Sequence, residues 1–147
     1  MSVPNQDLEV LTLGIGGETF AVEASAVREI LDPVPVTDVP GARSFVGGVI
    51  NVRGKIVPLA DLRVQFDMPC TPPTAHTRIV VLEIDLDGDP TIVGILADKV
   101  YEVTQIPAAV LEEAPRIGMR WRPEFIRFIG KRNDEFIVVP DLDRVLN

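Results

Sequence analysis

The stretch whose reading decides the fold is Gly47-Gly48-Val49-Ile50-Asn51-Val52-Arg53-Gly54-Lys55-Ile56-Val57-Pro58-Leu59-Ala60-Asp61-Leu62-Arg63. Apolar and β-branched residues fill Val49–Val52 and Ile56–Leu59, with Arg53-Gly54-Lys55 between them as a tight turn. The run therefore predicts a hairpin. It closes on Asp61, a carboxylate placed to cap the first turn of a short helix.

The same order of turn, apolar strand, acid and brief helical stretch recurs outward along the chain. Gly16-Gly17-Glu18 precedes Thr19–Val22 and Glu23, Asp87-Gly88-Asp89 precedes Thr91–Leu96 and Asp98, and Asn133-Asp134-Glu135 precedes Phe136–Val139 and Asp141. Each turn follows another apolar strand, so four hairpins are expected, enough for two small barrels. The closest internal likeness sets Ile56–Leu62 against Phe136–Leu142. The expected division is one domain over 1–147 with sub-barrels of about 8–68 and 76–147, strand exchange between them being open, and an aperiodic proline-bearing linker at about 67–77. Helices are expected over Ala24–Leu31, stopped by Pro33 and Pro35, and over Ala108–Glu113.

A chain of 147 residues, 46% hydrophobic but only 5% aromatic, builds its core from Val, Ile and Leu, which favours an all-β fold. Fourteen Lys and Arg against 22 Asp and Glu leave a net charge of −8, which argues against a nucleic-acid partner. The basic cluster Arg116, Arg120, Arg122, Arg127, Lys131 and Arg132 is interleaved with acids and reads as a solvated mixed-charge face. One cysteine, Cys70, fits a reducing compartment, and neither a signal peptide nor an 18-residue apolar run is visible, so a cytoplasmic chain without membrane insertion is expected.

The chemistry-bearing motifs fail their templates. Gly48–Lys55 has five residues between its glycines and Ile56 after the lysine, where a phosphate loop needs four and a Ser or Thr. Asp85, Asp87 and Asp89 alternate like calcium ligands, yet Pro90 and Leu96 occupy positions that need glycine and glutamate, and a turn at Asp87-Gly88 explains them without a metal. His76 and Cys70 do not make a nucleophile and base or a zinc set. No catalytic residue, cofactor or metal is expected. Arg53 remains: at a hairpin tip it reaches either solvent or a carboxylate such as Glu29.

The signature Gly48-Val49-Ile50-Asn51-Val52-Arg53-Gly54, with Ile56-Val57-Pro58 and Asp61-Leu62-Arg63, resembles that of the CheW family, adaptor proteins of bacterial chemotaxis arrays. Phe20-Ala21-Val22 with Val27-Arg28-Glu29-Ile30, Val36–Pro40 before Phe45–Gly48, Gly94–Val100, and Phe128–Lys131 through Asp141–Leu146 agree as well, so the likeness covers nearly the whole chain. Pro140 departs from the family pattern and is expected at a strand end or edge.

That resemblance implies two five-stranded SH3-like barrels packed together, with short helices and no enzymatic activity. It also implies a free-standing adaptor that couples the cytoplasmic tips of methyl-accepting chemoreceptors to the regulatory domain of the histidine kinase CheA, recruited to the inner face of the membrane through receptor arrays. Glu29 and Arg53 match family positions expected to pair near a receptor groove. The apolar residues Val27, Ile30 and Leu31, with Ile56 and Val100, offer a strip on which an amphipathic receptor helix lies. Gly48, Asn51, Gly54, Pro58 and Asp61 are expected to hold the signature's turn. The rival readings are a generic SH3-like peptide binder, which needs an aromatic groove this chain scarcely offers, and a ligand-responsive domain or enzyme built on Glu29, Asp61 or Asp98.

Overall fold

Hairpin loops of two residues organise the chain. In the computed structural model, which describes residues 5–113, 122–132 and 134–146, β1 (Leu8–Ile15) turns through Gly16-Gly17 into β2 (Glu18–Glu23). Likewise β4 (Val46–Val52) turns through Arg53-Gly54 into β5 (Lys55–Ala60), and β6 (Arg78–Leu86) through Asp87-Gly88 into β7 (Asp89–Ala97). The fourth hairpin joins β10 (Ile126–Arg132) to β11 (Glu135–Pro140). Both loop residues of the first three have positive φ, the conformation that matches the twist of paired strands.

Two expected helices are strands instead. Ala24–Ala26 forms a single 3-10 turn, and the chain then extends as β3 (Val27–Leu31) along β6, because Val27, Ile30 and Leu31 find their neighbours across a sheet. Ala108–Val110 is likewise one 3-10 turn, followed by the two-residue β9 (Leu111–Glu112) beside β10. After Asp98 comes β8 (Lys99–Ile106), not a helix. The expected α-helical turns α1 (Leu62–Gln65) and α2 (Leu142–Val145) are present.

The sheets do not part at 67–77. One has the order β8-β1-β2-β11-β10-β9 and the other β3-β6-β7-β5-β4. The first hairpin thus joins the C-terminal strands through the parallel pair β2 and β11, while Leu59 and Ala60 of β5 lie parallel to Gly94 and Ile95 of β7. Residues 67–77 connect α1 to β6 within the second sheet.

Each sheet curls around its own apolar cluster. Val10, Ala21, Ile106, Phe128, Ile137 and Val139 lie in the first, and Ile50, Val57, Leu59, Ile79 and Val81 in the second. A third and larger cluster fills the space between them, with Leu13, Phe20, Val22, Phe66, Val80, Leu82, Ile95 and Val138. Strands β1, β2, β6, β7 and β11 therefore bury both faces, which is why they read as unbroken apolar runs. At its centre Phe66 meets Phe20 and Phe125 edge to face, with ring centroids 5.2 and 5.9 Å away.

The likeness between Ile56–Leu62 and Phe136–Leu142 is architectural. Asp61 N donates to Phe45 O and Asp141 N to Phe125 O, each at 2.8 Å, and both leading strands carry a bulge at their start. Pro140 pairs with Ile126 as the last residue of β11, where no further ladder donor is required.

Candidate functional site

Most of the signature is architecture. Asn51 Oδ1 accepts from Gly54 N at 2.8 Å and closes the hairpin loop, and Gly54 supplies φ 84°. Thr37 and Val49 exchange backbone bonds of 2.8 and 2.9 Å, bringing the 32–45 segment so close that a Cβ on Gly48 would stand 2.4 Å from Thr37 O. Because the backbone groups of Val49 point to Thr37, its ladder partner Pro58 points the other way, and pairing on that side begins only at Leu59. The missing N–H of Pro58 therefore breaks no bond to β4. Asp61 caps α1 as expected, accepting from Arg63 N at 3.0 Å, whereas the Asp141 side chain makes no such bond.

Arg53 is different. It has φ 51°, left-handed backbone that costs a non-glycine residue about 1 kcal/mol. Its side chain is 81% exposed, and Nε lies 3.2 Å from Glu29 Oε2 on edge strand β3. Nε and Nη2 both also reach Oε1, at 3.4 Å. The two residues are brought together, with Glu29 on a strand and not a helix. Ile56, 70% exposed, follows the same turn, and Ile30, 44% exposed, neighbours Glu29. The remaining strip residues scatter: Val27 and Val100 pack against the core between the sheets, and Leu31 against the core of the second sheet.

A profile of the CheW-like domain matches residues 9–147. The chain belongs to the CheW-like family. It is 29% identical over 141 residues to the chemotaxis protein CheW of Rhizobium meliloti strain 1021, covering 96% of this chain and 88% of that one. It is 28% identical to the chemotaxis protein CheW of Klebsiella aerogenes, covering 95% and 81%. The crystal structure of the scaffolding protein TtCheW from Thermoanaerobacter tengcongensis superposes with a TM-score of 0.84 at 25% identity, covering 98% of this chain and 89% of that one.

In this CheW-like chain the three acids of the enzyme reading do not converge. Glu29 faces Arg53, while Asp61 and Asp98 both face Arg63. Among the described residues no group of three His, Cys, Asp or Glu side chains could hold a metal, and no helix is long and apolar enough to cross a membrane. Of the basic cluster, Arg116 and Arg120 lie outside the described residues; Arg127 approaches Glu23 at 3.5 Å and Arg122 approaches Glu124 at 3.9 Å.

Sequence reasoning missed Arg63, the one buried charged side chain among the described residues. Its Nε and Nη2 donate to Asp61 Oδ1 and Oδ2 at 2.9 and 2.8 Å, and Nη1 donates to Thr71 O at 3.1 Å. These bonds donated to the Asp61 carboxylate raise the Arg63 pKa further, outweighing the opposing effect of burial. A signal was available: the copy of Asp61-Leu62-Arg63 is Asp141-Leu142-Asp143, so an arginine stands where its repeat holds an acid.

Proposed function

We propose that the protein is a chemotaxis adaptor that holds chemoreceptor tips and the kinase CheA in one assembly, and that it works by binding and not by turnover. The observation that carries this reading is the full-length likeness to a scaffolding protein, with both sheets matched. What supports the placement of one docking region is Arg53: an exposed cation kept in costly backbone and tied to an edge-strand acid, with exposed Ile30 next to that acid in sequence and exposed Ile56 just after the Arg53 turn. Receptor helices are the occupants proposed for that region. The chain acts in the cytoplasm at the inner face of the membrane, where the receptors hold it.

Co-sedimentation with receptor-bearing membranes and CheA tests the proposal. Ile30→Asp and Ile56→Asp change exposed residues and are expected to leave folding within about 0.5 kcal/mol of the parent. They are expected to retain CheA and to lose receptor membranes, since a carboxylate would be desolvated in the joint. Full retention on receptor membranes by the folded variants, or failure of the parent to sediment with either partner, contradicts the reading. Val27→Asp is a poorer probe, because Val27 packs against the core and its loss perturbs folding.

A further inference from the structure

The chain passes from the first sheet to the second at Ala24–Ala26 and back at Asp98, and the two passages are equivalent in register. Val100, two residues after Asp98, pairs with Leu13; Val27, two residues after Ser25, pairs with Leu82. Ser25 therefore occupies the place of Asp98, just as Asp143 occupies that of Arg63.

Their chemistry differs. At the Asp98 passage, Arg63 Nη1 lies 3.5 Å from Asp98 Oδ1. Asp98 Oδ2 in turn accepts from Gly16 N, and Asp98 N donates to Gly14 O, both at 2.8 Å. One guanidinium thus ties α1 and Thr71, which follow the second sheet, to the first hairpin of the first sheet. Gly16 leaves no slack, since a Cβ there would lie 2.3 Å from Met68 Sδ. At the Ser25 passage no such tie exists among the described residues. Ser25, Asp141, Asp143 and Arg144 instead line an open cleft of about 580 Å³ that also takes in Glu23, Glu83 and Arg127.

The apolar core between the sheets supplies attraction without direction, and directional bonds add to it at the Arg63–Asp98 pair and where Gln65 Nε2 donates to Val145 O at 2.6 Å, joining α1 to α2. We infer that Arg63 is a positioning residue: through Asp98 it fixes the angle between the sheets at one passage, and the opposite passage is the end at which they spread. Resting on the adaptor reading, this makes Arg63 the residue that sets how two docked partners face one another.

The test uses the full chain with Cys70→Ser and nitroxide labels at exposed Asp89 and Gln105, one in each sheet and both away from the Asp98 passage. Pulsed dipolar spectroscopy without partners is expected to give one distance population for this parent. Arg63→Met is expected to add a longer-distance population of about a tenth of the molecules. Arg63→Lys should restore part of the parental distribution, and Arg144→Met, on the open passage, should leave it unchanged. Should Arg63→Met fail to fold, Asp98→Asn removes the charge while keeping an acceptor for Gly16. An unchanged distribution in the folded Arg63 or Asp98 variants overturns the inference. With both partners added, the shifted variants are expected to bind each one singly while receptor control of the kinase falls about ten-fold. Undiminished control despite a shifted distance also overturns the positioning role. Failure of the unsubstituted parent to couple the partners counts against the adaptor reading alone, leaving the distance measurement to stand.

Discussion

The unit β3, β4–β5, α1 and the unit β8, β10–β11, α2 share a plan down to single backbone bonds, but only the first carries Arg53 and Arg63. Both have an edge strand, a two-residue hairpin with a bulge at its start, and an aspartate whose N–H reaches a phenylalanine carbonyl. In the first unit Arg53 at the hairpin tip reaches Glu29 of the edge strand, and Arg63 in the helical turn reaches Asp61 and Asp98. In the second the corresponding positions hold Asn133, outside the described residues, and Asp143. A repeated frame thus separates what the fold requires, present in both copies, from what one copy adds.

The added arginines also contrast with each other. The side chain of Arg63 is 6% exposed with its donors matched to fixed acceptors, whereas that of Arg53 is 81% exposed at a strained position. Burial makes the first a structural commitment; exposure leaves the second free to exchange Glu29 for another acceptor.

The sharpest break of the comparison is to remove the one arginine that each helical turn carries, Arg63 from α1 and Arg144 from α2, which stand at different positions of the repeat. Arg63→Met is expected to destabilise the fold by about 3–5 kcal/mol, since it leaves Asp61 and Asp98 without their cation, while Arg144→Met at a 63% exposed position costs about 0.5 kcal/mol or less. Urea midpoints of both variants check this, and equal losses would dissolve the distinction. The sign with pH is also defined. A raised arginine pKa contributes stability that is fully present below its ordinary value and lost only above it, so the difference between parent and Arg63→Met owes no change between pH 6 and 9 to arginine titration.

A smaller effect is expected from copying the first unit's chemistry into the second. Ser25→Asp combined with Asp143→Arg places the Arg63 and Asp98 pair at the open passage and is expected to stabilise by about 0.5–1 kcal/mol, with neither single change sufficient. A double-mutant cycle with no coupling would show that the two passages are not equivalent in space.

The smallest change concerns the tip. Arg53→Asn puts a residue that tolerates left-handed backbone at φ 51° and is expected to gain about 0.5 kcal/mol despite losing the exposed Glu29 pair. Receptor co-sedimentation should nevertheless weaken. A variant more stable and equally active would remove Arg53 from the docking region.

What was legible in the sequence follows the same division. Loops such as Gly16-Gly17 and Asp87-Gly88 declare themselves because their residues accept positive φ, and strands with two buried faces show as apolar runs. Val27–Leu31 misled because an edge strand has only one partner and its burial alternates weakly; Val27, Ile30 and Leu31 fit helical spacing as well as a bulged strand. Strand exchange could be left open but not located, since parallel pairing of β2 with β11 depends on residues more than a hundred positions apart. For Arg53, residue type left solvent and Glu29 equally open and the family resemblance chose the Glu29 pair, whereas Arg63 was hidden inside a motif read only for its aspartate.

The exchanged strand order bears on how the chain is made. Strands β3–β7 are contiguous in sequence and have all their sheet partners once residue 97 has left the ribosome. The first hairpin, synthesised earlier, waits for β8 and β11 while carrying Leu13, Phe20 and Val22 on one face and Val10 and Ala21 on the other. The second sheet's inner cluster, Ile50 to Val81, is complete by then, and its outer apolar face is the surface the waiting hairpin meets first; the first sheet's inner cluster, which needs Ile106, Phe128, Ile137 and Val139, closes last.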